Sequence, residues 1–411
     1  MNRKLSLLGG TTTAGDCRAA AGYLLRPRRL VEGPSIGMFE REFANRVGVR
    51  HGCSFSSGRV GLYAILRALG IGAYDEVLLQ VPTHIVVSNA IRHAGARPIY
   101  VDCVPDNWNL DVQHAARQVT PRTRALVLQH TFGIPADLDA IVDFVEERGL
   151  VLIEDCVHAL GATWRGRPVG SFGRAAFFST EETKMISTTM GGMTVTDDDS
   201  LAERIRAFQT ACAWPSRWLT ARYLFKLLIY HALTEPRLHR LARAAYEALG
   251  EAQPLPRPTS ANELRGGWDS ELEQRLSNAQ AAVGLRQLHR LDANLLHRRA
   301  IAACYAALLA RSGFNTPTLP AEAAPSWVRY PLTVTDRSAA VRASHPHVVL
   351  GTWFTSVLEE AVTPADGEYV AGSCPQAEHA AQHLVNLPTH RRVREEDTAA
   401  LVDALPPCEE C

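Results

Sequence analysis

The stretch RALVLQHTFGIPADLDAIVDFVEERGLVLIED, residues 124–155, holds two short apolar runs separated by a helical pattern. Between the runs, apolar residues such as Leu138 and Ile141 recur at helical spacing. Asp137 precedes them as a candidate N-cap, and Gly149 follows them as a stop signal. The stretch therefore predicts a strand, a helix and a second strand.

Similar apolar runs occur before and after this stretch. They are EVLLQV (76–81), PIYVD (98–102) and AAFFS (175–179). Near-continuous apolar strands separated by helices are typical of a mostly parallel sheet that is covered by helices on both faces. The sequence therefore predicts an α/β protein.

Polar side chains that could do chemistry follow the predicted strands. These residues are Thr83, His84, Asp155, His158, Ser179 and Lys184. In such sheets, ligands bind beyond the carboxyl ends of the strands. We therefore expect these side chains to lie around one binding site, and their coincidence is stronger evidence than any one of them.

Lysine is rare in this chain. Of 43 basic residues only Lys4, Lys184 and Lys226 are lysines. An arginine guanidinium stays protonated and cannot act as an amine nucleophile. Lys184, within STEETKMISTTMGGM (179–193), therefore suggests amine chemistry, although one more solvated charge is the alternative.

A Ser-Ser-Gly sequence at residues 56–58 comes directly before a helical pattern that contains Leu62 and Ile65. The start of a helix presents free backbone N–H groups, which can hold a phosphate together with nearby hydroxyls. A simple N-cap is the alternative interpretation.

The amino-acid composition and net charge limit the classes of protein to which the chain can belong. The chain has 411 residues, 46% of them hydrophobic, with a formal net charge of zero and a pI near 7.2. These values offer no electrostatic reason to expect nucleic acid or an anionic membrane as the main partner. No secretion signal or transmembrane segment is apparent, and most cysteines stand alone in apolar context, so we expect a cytoplasmic enzyme. Cys408 and Cys411 are interpreted as free tail thiols, so no metal site is predicted.

The remaining segments carry less specific patterns. Residues 1–35 are predicted as an extended lead-in, and FEREFANRVGV as a short helix closing at Gly48. The segment 214–268 is helical in pattern and contains the proline-rich linker QPLPRP; it fits packing on a partner subunit or a membrane-surface helix. After residue 274 we predict one long helix, strands in WVRYPLTV and HVVLGTWF, and a closing helix in EEDTAALVDAL.

An enzyme that uses pyridoxal phosphate needs four kinds of group. A lysine forms a Schiff base with the aldehyde, and a carboxylate keeps the pyridine nitrogen protonated. An aromatic or imidazole ring covers the cofactor, and amides at a helix start hold the phosphate. The chain offers each group at a predicted strand end, in Lys184, Asp155, His84 and Ser57-Gly58.

The chain resembles the DegT/StrS family of pyridoxal-phosphate-dependent sugar aminotransferases from about residue 37 to its end, apart from 214–268. The motifs that carry the resemblance are FEREFANRVGV, SSGRVGLYAIL, VPTHIVVSNAI, GARPIYVD, HTFGIPADLDAI, IEDCVHALGA, FFSTEETK, GGM, RLSNAQAAVGLRQL and LVNLPTH. The resemblance implies the fold type I architecture. We expect a cofactor domain over residues 1–270 that includes the insertion 214–268, and a smaller α+β domain over 271–411.

The resemblance also implies roles for individual residues. Lys184 would be the Schiff-base lysine, Asp155 the partner of the pyridine nitrogen, and His158 a neighbour of the phenolic oxygen. His84 would stack on the ring. The phosphate cup would be formed by Ser57, Gly58, Arg59 and Ser179, with Arg59 contributing chiefly its backbone N–H.

The chain departs from the family pattern at two places. Many members carry an Asn-x-Arg-x-Ser segment whose Asn reaches the phosphate in the neighbouring subunit. Here Glu273 stands at that place before Arg275 and Ser277, which puts the contact between subunits in doubt. GTWFTSVLEE (351–360) stands where many members have a His-containing substrate loop, so the substrate stays open.

The function implied is transfer of an amino group, from glutamate by family analogy, to a keto group of a nucleotide-linked sugar or cyclitol. A homodimer with its site at the subunit interface is expected. Two alternatives stay open at this point. One is a pyridoxal-phosphate-dependent sugar dehydratase or lyase, which Lys184 argues against because dehydrating relatives have His there. The other is a regulator that binds the cofactor without turnover.

Overall fold

A computed structural model describes residues 5, 7, 11–235, 258–345 and 348–407. Its described helices are α1 (Ala14–Leu24), α2 (Ser35–Val47), α3 (Gly58–Leu69), α4 (Ile85–His93), α5 (Val112–Gln118), α6 (Leu138–Arg148), α7 (Asp199–Ala211), α8 (Arg217–Leu233), α9 (Asn278–Leu288), α10 (Leu291–Arg311), α11 (Arg337–Ser344), α12 (Pro375–His383) and α13 (Glu395–Asp403). Its described strands are β1 (His51–Phe55), β2 (Glu76–Gln80), β3 (Thr83–His84), β4 (Arg97–Val101), β5 (Thr123–Gln129), β6 (Val151–Asp155), β7 (Thr163–Trp164), β8 (Arg167–Pro168), β9 (Ala175–Ser179), β10 (Gly192–Thr196), β11 (Ala323–Ala324), β12 (Tyr330–Thr333), β13 (Leu358–Glu359) and β14 (Leu384–Leu387).

The largest sheet in the described part of the chain has the strand order β1-β10-β9-β6-β5-β2-β4. From β9 to β4, neighbouring strands pair in parallel. Only β10 runs against its neighbours, β1 and β9. The mostly parallel α/β sheet predicted from the apolar runs is confirmed.

Both faces of this sheet are buried. In β5, Ala125 and Val127 belong to the apolar cluster that also contains Leu62 of α3. The alternate residue Leu126 belongs to the opposite cluster, together with Ile141 of α6. Successive strand residues point to opposite faces, so a strand that is buried on both sides has to be apolar throughout.

The helix between β5 and β6 follows its local signals. The Asp137 side chain accepts a hydrogen bond from the Ala140 amide at 3.2 Å. Gly149 ends α6 in the left-handed conformation, with φ 62°. Both end signals that were predicted from the sequence are confirmed, and they place Asp155 at the carboxyl end of β6.

Three of the sequence predictions are wrong. Residues 14–24, expected to be extended, form α1, which Thr13 and Asp16 begin with a capping box. The long helix expected after residue 274 is two helices, because Arg290 leaves helical geometry with φ −109° and ψ 9°. The Arg290 guanidinium pairs there with the buried Asp16 carboxylate at 2.7 Å. HVVLGTWF forms isolated bridges at Val348 and Gly351 instead of a strand.

Helix α8 forms most of the first described part of the 214–268 segment, residues 214–235, and packs within its own chain. Leu224 and Leu227 are buried in the same cluster as Ala20 of α1 and Val283 of α9. The linker QPLPRP lies outside the described residues except for Pro258, and so do Cys408 and Cys411. Packing on a partner subunit stays a prediction. None of the helices described is both long and apolar enough to cross a membrane.

The C-terminal region has its own apolar cluster. It includes Tyr305 of α10, Tyr330 of β12 and Leu401 of α13. Strands β12 and β14 pair antiparallel beside these helices, and α13 confirms the predicted closing helix. The domain division at residues 270 and 271 stays a prediction.

Candidate active site

A cavity of about 450 Å³ lies at the carboxyl ends of the central parallel strands. Six residues singled out from the sequence line it: Ser57, Gly58, Arg59, His84, Ser179 and Lys184. Ser179 ends β9, and His84 follows β2 through the short strand β3. Of the six residues expected at the strand ends, His84, Ser179 and Lys184 thus line one cavity, whereas Thr83, Asp155 and His158 are not part of its lining; that this cavity is the binding site stays a prediction.

The N-terminus of α3 forms one wall of the cavity. Ser57 occupies the N-cap position, yet its side chain makes no capping hydrogen bond. The buried Ser57 Oγ has no hydrogen-bond partner among the described residues. A simple N-cap therefore does not account for this serine, whereas an anion at the free amides of α3 would engage its hydroxyl.

Gly192 allows β10 to pass directly against this turn. A Cβ atom at Gly192 would lie 2.3 Å from the carbonyl carbon and oxygen of Ser57 and 2.4 Å from the Gly58 nitrogen. These distances are far below ordinary contact. Gly192 is therefore required for the shape of the turn.

The Arg59 side chain is engaged elsewhere. Its Nε lies 2.9 Å from Oε1 of Glu263, and both side chains are buried. One Nη donates to the Pro258 carbonyl at 2.5 Å. Glu263 thus neutralises the guanidinium. The group that Arg59 could offer a phosphate is its backbone N–H, which lies at the start of α3.

Lys184 is buried against an indole ring. Its Nζ lies 4.6 Å from the centre of the Trp353 ring. Burial lowers the pKa of Lys184 to about 8; the charge of Glu181 opposes this shift and that of Arg329 adds to it. A substantial fraction of the amine is therefore neutral near pH 8, as a nucleophile needs to be.

Asp155 lies beside the cavity and is not part of its lining, although the nearby Val157 is. Its Oδ1 accepts a hydrogen bond from the Val157 amide at 3.1 Å. Its buried Oδ2 has no hydrogen-bond partner among the described residues. Burial raises the pKa of Asp155 to about 7, against which the Lys184 charge acts. A cationic partner at Oδ2 would favour the carboxylate form.

His158 is likewise buried outside the lining. Its ring stacks on Phe132, with centres 6.2 Å apart and planes 6° apart, and lies 5.2 Å from the Trp353 ring. Burial lowers the pKa of His158 well below its usual value, with the Lys184 charge second. The imidazole is therefore neutral, and its Nδ1 lacks a partner within the described structure.

His84 is oriented by two contacts. Its Nδ1 accepts a hydrogen bond from the Val86 amide at 3.3 Å. Its Nε2 lies 3.1 Å from Oε2 of Glu360. Strands β3 and β13 pair in parallel, with Glu359 opposite His84, which brings Glu360 to this position. The hydrogen bond with His84 lowers the pKa of Glu360 to about 2.

Sequence reasoning missed three residues around the site. Trp353 lines the cavity within GTWFTSVLEE, the segment noted from the sequence as the departure in the substrate loop. Arg329 also lines it, and no local pattern separates it from the many other arginines. Lys226 of α8 reaches Oε2 of Glu182 at 2.6 Å, and lysine scarcity was the one signal for it.

Glu273, at the family's Asn position, makes contacts within its own chain. Oε1 accepts a hydrogen bond from Trp268 Nε1 at 3.0 Å. The same oxygen lies 3.3 Å from Nε2 of His93. Its carboxylate is thus engaged here, and the loss of a phosphate contact between subunits stays a prediction.

The geometry places a buried amine and a helix N-terminus around one cavity, with an acid and an imidazole beside it. The sequence pattern of the DegT/DnrJ/EryC1/StrS aminotransferase family matches residues 14–223 and 259–406. The chain belongs to this family. The resemblance inferred from the sequence is confirmed, and this aminotransferase has the expected architecture of the family.

Known proteins resemble this aminotransferase over most of its length. The spore coat polysaccharide biosynthesis protein SpsC of Bacillus subtilis is 30% identical over 390 residues, which cover 92% of this chain and 90% of SpsC. A GDP-perosamine synthase of Caulobacter vibrioides is 33% identical over 288 residues, covering 70% of this chain and 65% of the synthase. The crystal structure of S. venezuelae DesV in complex with a ketimine intermediate superposes with a TM-score of 0.74 at 28% identity. That superposition covers 95% of this chain and 93% of DesV.

The family implies pyridoxal phosphate as the cofactor. The residues present fit such a group in three respects. The free α3 amides and Ser57 Oγ suit a phosphate, Asp155 Oδ2 suits a protonated ring nitrogen, and His158 Nδ1 suits an oxygen on the ring. Each of these buried side-chain atoms lacks a partner within the described protein, which a bound group would supply.

Proposed function

We propose that this chain transfers an amino group from an amino acid, with glutamate as the first candidate, to a keto group of a nucleotide-linked sugar or cyclitol. The proposal rests on the buried Lys184 amine, which shares a cavity with a helix N-terminus suited to phosphate. The acceptor class is supported by the names of relatives. They include GDP-perosamine synthase, a protein named putative L-glutamine:3-amino-2,3-dideoxy-scyllo-inosose aminotransferase, and DesI solved in the presence of its TDP-sugar product.

The phosphate end of the cofactor would be held at α3. Ser57, Gly58 and Arg59 line the cavity at the start of α3, where the first backbone N–H groups of a helix have no partner within the helix, and Ser179 lies at the end of strand β9. The dipole of a 12-residue helix favours the anion at this end.

The ring end would be held by three side chains. Asp155 would keep a proton on the ring nitrogen, His158 would lie near the phenolic oxygen, and His84 would cover the ring. When bound, the cofactor withdraws electrons from the carbon that carries the amino group. Asp155 supports this by holding the positive charge at the nitrogen.

Lys184 would hold the cofactor through its amine until the amino donor replaces it, and the freed amine would then carry the proton that moves during transfer. The low pKa suits both tasks, because an amine that titrates near pH 8 can accept and return a proton at working pH. A neutral His158 does not compete for that proton. We also infer a cytoplasmic homodimer with the site at the subunit interface, which sedimentation of the purified protein would test.

The residue assignment is tested by chemical trapping of the cofactor. Purified protein incubated with pyridoxal phosphate is expected to gain a visible absorbance band that Lys184→Ala lacks. Borohydride reduction followed by peptide mapping should find the cofactor on Lys184, with Lys226 as the internal control. An unchanged band in Lys184→Ala, or a label at Lys226, would contradict the assignment.

The reaction is tested by separating its two halves. Glutamate should convert the cofactor to its amine form and release 2-oxoglutarate, and a keto-sugar nucleotide or an inosose should then restore the visible band. A dehydratase would release water and keto product without this exchange, and a regulator would show no turnover. Either outcome would replace the proposed function.

A further inference from the structure

Arg329 is a buried cation that forms no ion pair within 4.0 Å with a carboxylate of the described protein, although the charges of Glu181 and Glu359 act on it from further away and favour its protonated form. Only 4% of the residue is exposed, and none of its nitrogens lies within 4.0 Å of a described carboxylate. Its hydrogen bond to Asn386 Oδ1 is long, at 3.5 Å, and its buried Nε has no partner among the described residues. Burial lowers the pKa of Arg329 to about 10, which records the unfavourable environment of the charge.

The other buried arginines near the site have more polar partners within the described protein, although burial lowers the pKa of Arg298 further than that of Arg329, to about 9. Arg59 pairs with Glu263. Arg298, only 3% exposed, donates hydrogen bonds to Asn294 Oδ1, the carbonyls of Trp327 and Val328, and Thr389 Oγ1. A buried charge without such partners is strongly unfavourable. Arg329 therefore has the environment of a group whose anion comes from a ligand.

Arg329 and Lys184 lie against the same indole. The Arg329 Cζ is 3.9 Å and the Lys184 Nζ 4.6 Å from the centre of the Trp353 ring, and all three residues line the cavity. A molecule whose anionic group binds Arg329 would therefore lie close to Lys184.

The ligand chemistry favours the amino donor. An α-amino acid carries its carboxylate on the same carbon as the amine that replaces Lys184. A nucleotide-linked sugar carries its phosphates on the anomeric carbon, away from the reacting ketone, and a cyclitol carries no anion. The phosphate of the cofactor already has a site at the N-terminus of α3.

We propose that Arg329 binds a carboxylate of the amino donor, through the planar fork of its guanidinium. This inference rests on the proposed function, because it assigns one subsite of the same cavity. The guanidinium presents two parallel N–H donors to the two carboxylate oxygens, an arrangement that a lysine cannot reproduce.

The inference is tested with glutarate, a dicarboxylate that has no amine and so binds without reacting. Calorimetry on the cofactor-loaded enzyme is expected to show a dissociation constant raised about tenfold or more in Arg329→Gln, and by a smaller factor in Arg329→Lys. In single-turnover experiments, the half-reaction with glutamate should need about tenfold more glutamate, whereas the half-reaction with the keto acceptor should be unchanged.

Arg298→Gln is the matched control, because Arg298 is buried next to the site but is fully hydrogen-bonded. It should lower the melting temperature and leave the dissociation constant of glutarate unchanged. Arg329→Gln should melt at the wild-type temperature or above it, because it removes an uncompensated charge. If Arg329 only stabilised the fold, Arg329→Gln would instead lower the melting temperature and leave the dissociation constant of glutarate unchanged.

Two results would overturn the inference. One is wild-type affinity for glutarate in Arg329→Gln. The other is a variant that loses affinity for the keto acceptor while its reaction with glutamate is unchanged, which would assign the anion to the acceptor. If the wild-type enzyme forms no lysine-linked band or does not react with glutamate, the proposed function itself fails, and the two failures are thereby distinguishable.

Discussion

Gly192→Ala would push β10 against the turn that begins α3. The added Cβ would lie 2.3 Å from the Ser57 carbonyl and 2.4 Å from the Gly58 nitrogen. Ordinary contacts between carbon atoms begin at about 3.5 Å, so one of the two segments has to move by about 1 Å. Both contacting groups are backbone atoms, and no side-chain rotation can relieve the overlap.

The expected cost lies at the upper end of the range for overpacking, about 3 kcal/mol. For a protein of this size, that corresponds to a fall of roughly 3–4 °C in melting temperature. A shift of about 1 Å at Ser57 would also move the donors of this turn out of hydrogen-bonding distance of a phosphate held there, since N–H···O bonds require about 2.7–3.2 Å between the donor and acceptor atoms. We therefore expect affinity for pyridoxal phosphate to fall at least about tenfold.

Thermal unfolding and a cofactor titration of the same variant measure both effects. The matched control is Gly22→Ala in α1, where an added Cβ has no neighbour within 4 Å. That substitution should stabilise the protein by about 0.5–1 kcal/mol, because alanine is the better helix former.

Two results would refute this reasoning. Equal melting temperatures for Gly192→Ala and the wild type would show that the close approach does not constrain the fold. A destabilised Gly192→Ala protein with unchanged cofactor affinity would show that the Ser57-Gly58 turn does not hold the phosphate.

Two further predictions concern buried charge. Because burial raises the pKa of Asp155 from 3.8 to about 7, the folded apoprotein binds this proton more tightly than the unfolded chain, and Asp155 makes stability fall as the pH rises through that window. Asp155→Asn should remove this fall, which urea unfolding at pH 4, 5.5 and 7.5 would reveal; an unchanged pH dependence would contradict the assignment. Burial raises the pKa of Glu182 to about 8, so at pH 9, where its carboxylate is ionised, Lys226→Met should cost about 3 kcal/mol by removing the buried partner of that charge. Urea unfolding should show that Lys226→Met combined with Glu182→Gln recovers most of that loss, and strictly additive losses would argue against a coupled pair.

Local signals were sufficient where a residue's role depends on its chain neighbours. Asp137 caps α6 through an amide three residues away, and Gly149 ends it by its own backbone conformation. The apolar strands needed no long-range information either, since burial on both faces demands an uninterrupted apolar run. Lys184 was found because arginine cannot do its chemistry and lysine is scarce.

The failures occur where distant segments decide the local structure. The α1 segment is rich in alanine and lacks a clear apolar face, and its buried Asp16 pairs with Arg286 and Arg290 far along the chain. The apolar spacing across residues 285–296 predicted one helix, although Arg290 breaks it and Leu296 is 73% exposed. The spacing of apolar residues does not reveal a turn at which a residue forms an ion pair with a distant segment.

Residue types and their near neighbours were enough to predict the α/β class, the resemblance to the aminotransferase family and the candidate Schiff-base lysine, because apolar periodicity, sequence motifs and amine chemistry do not depend on distant segments. Only the tertiary structure decided which charges are compensated. Arg59 and Arg329 look alike in the sequence, yet one forms a close ion pair with Glu263 and the other lines the cavity without an ion pair within 4.0 Å in the described protein. A charge takes its energy from the groups that surround it in space, and those groups come from segments far apart in the chain.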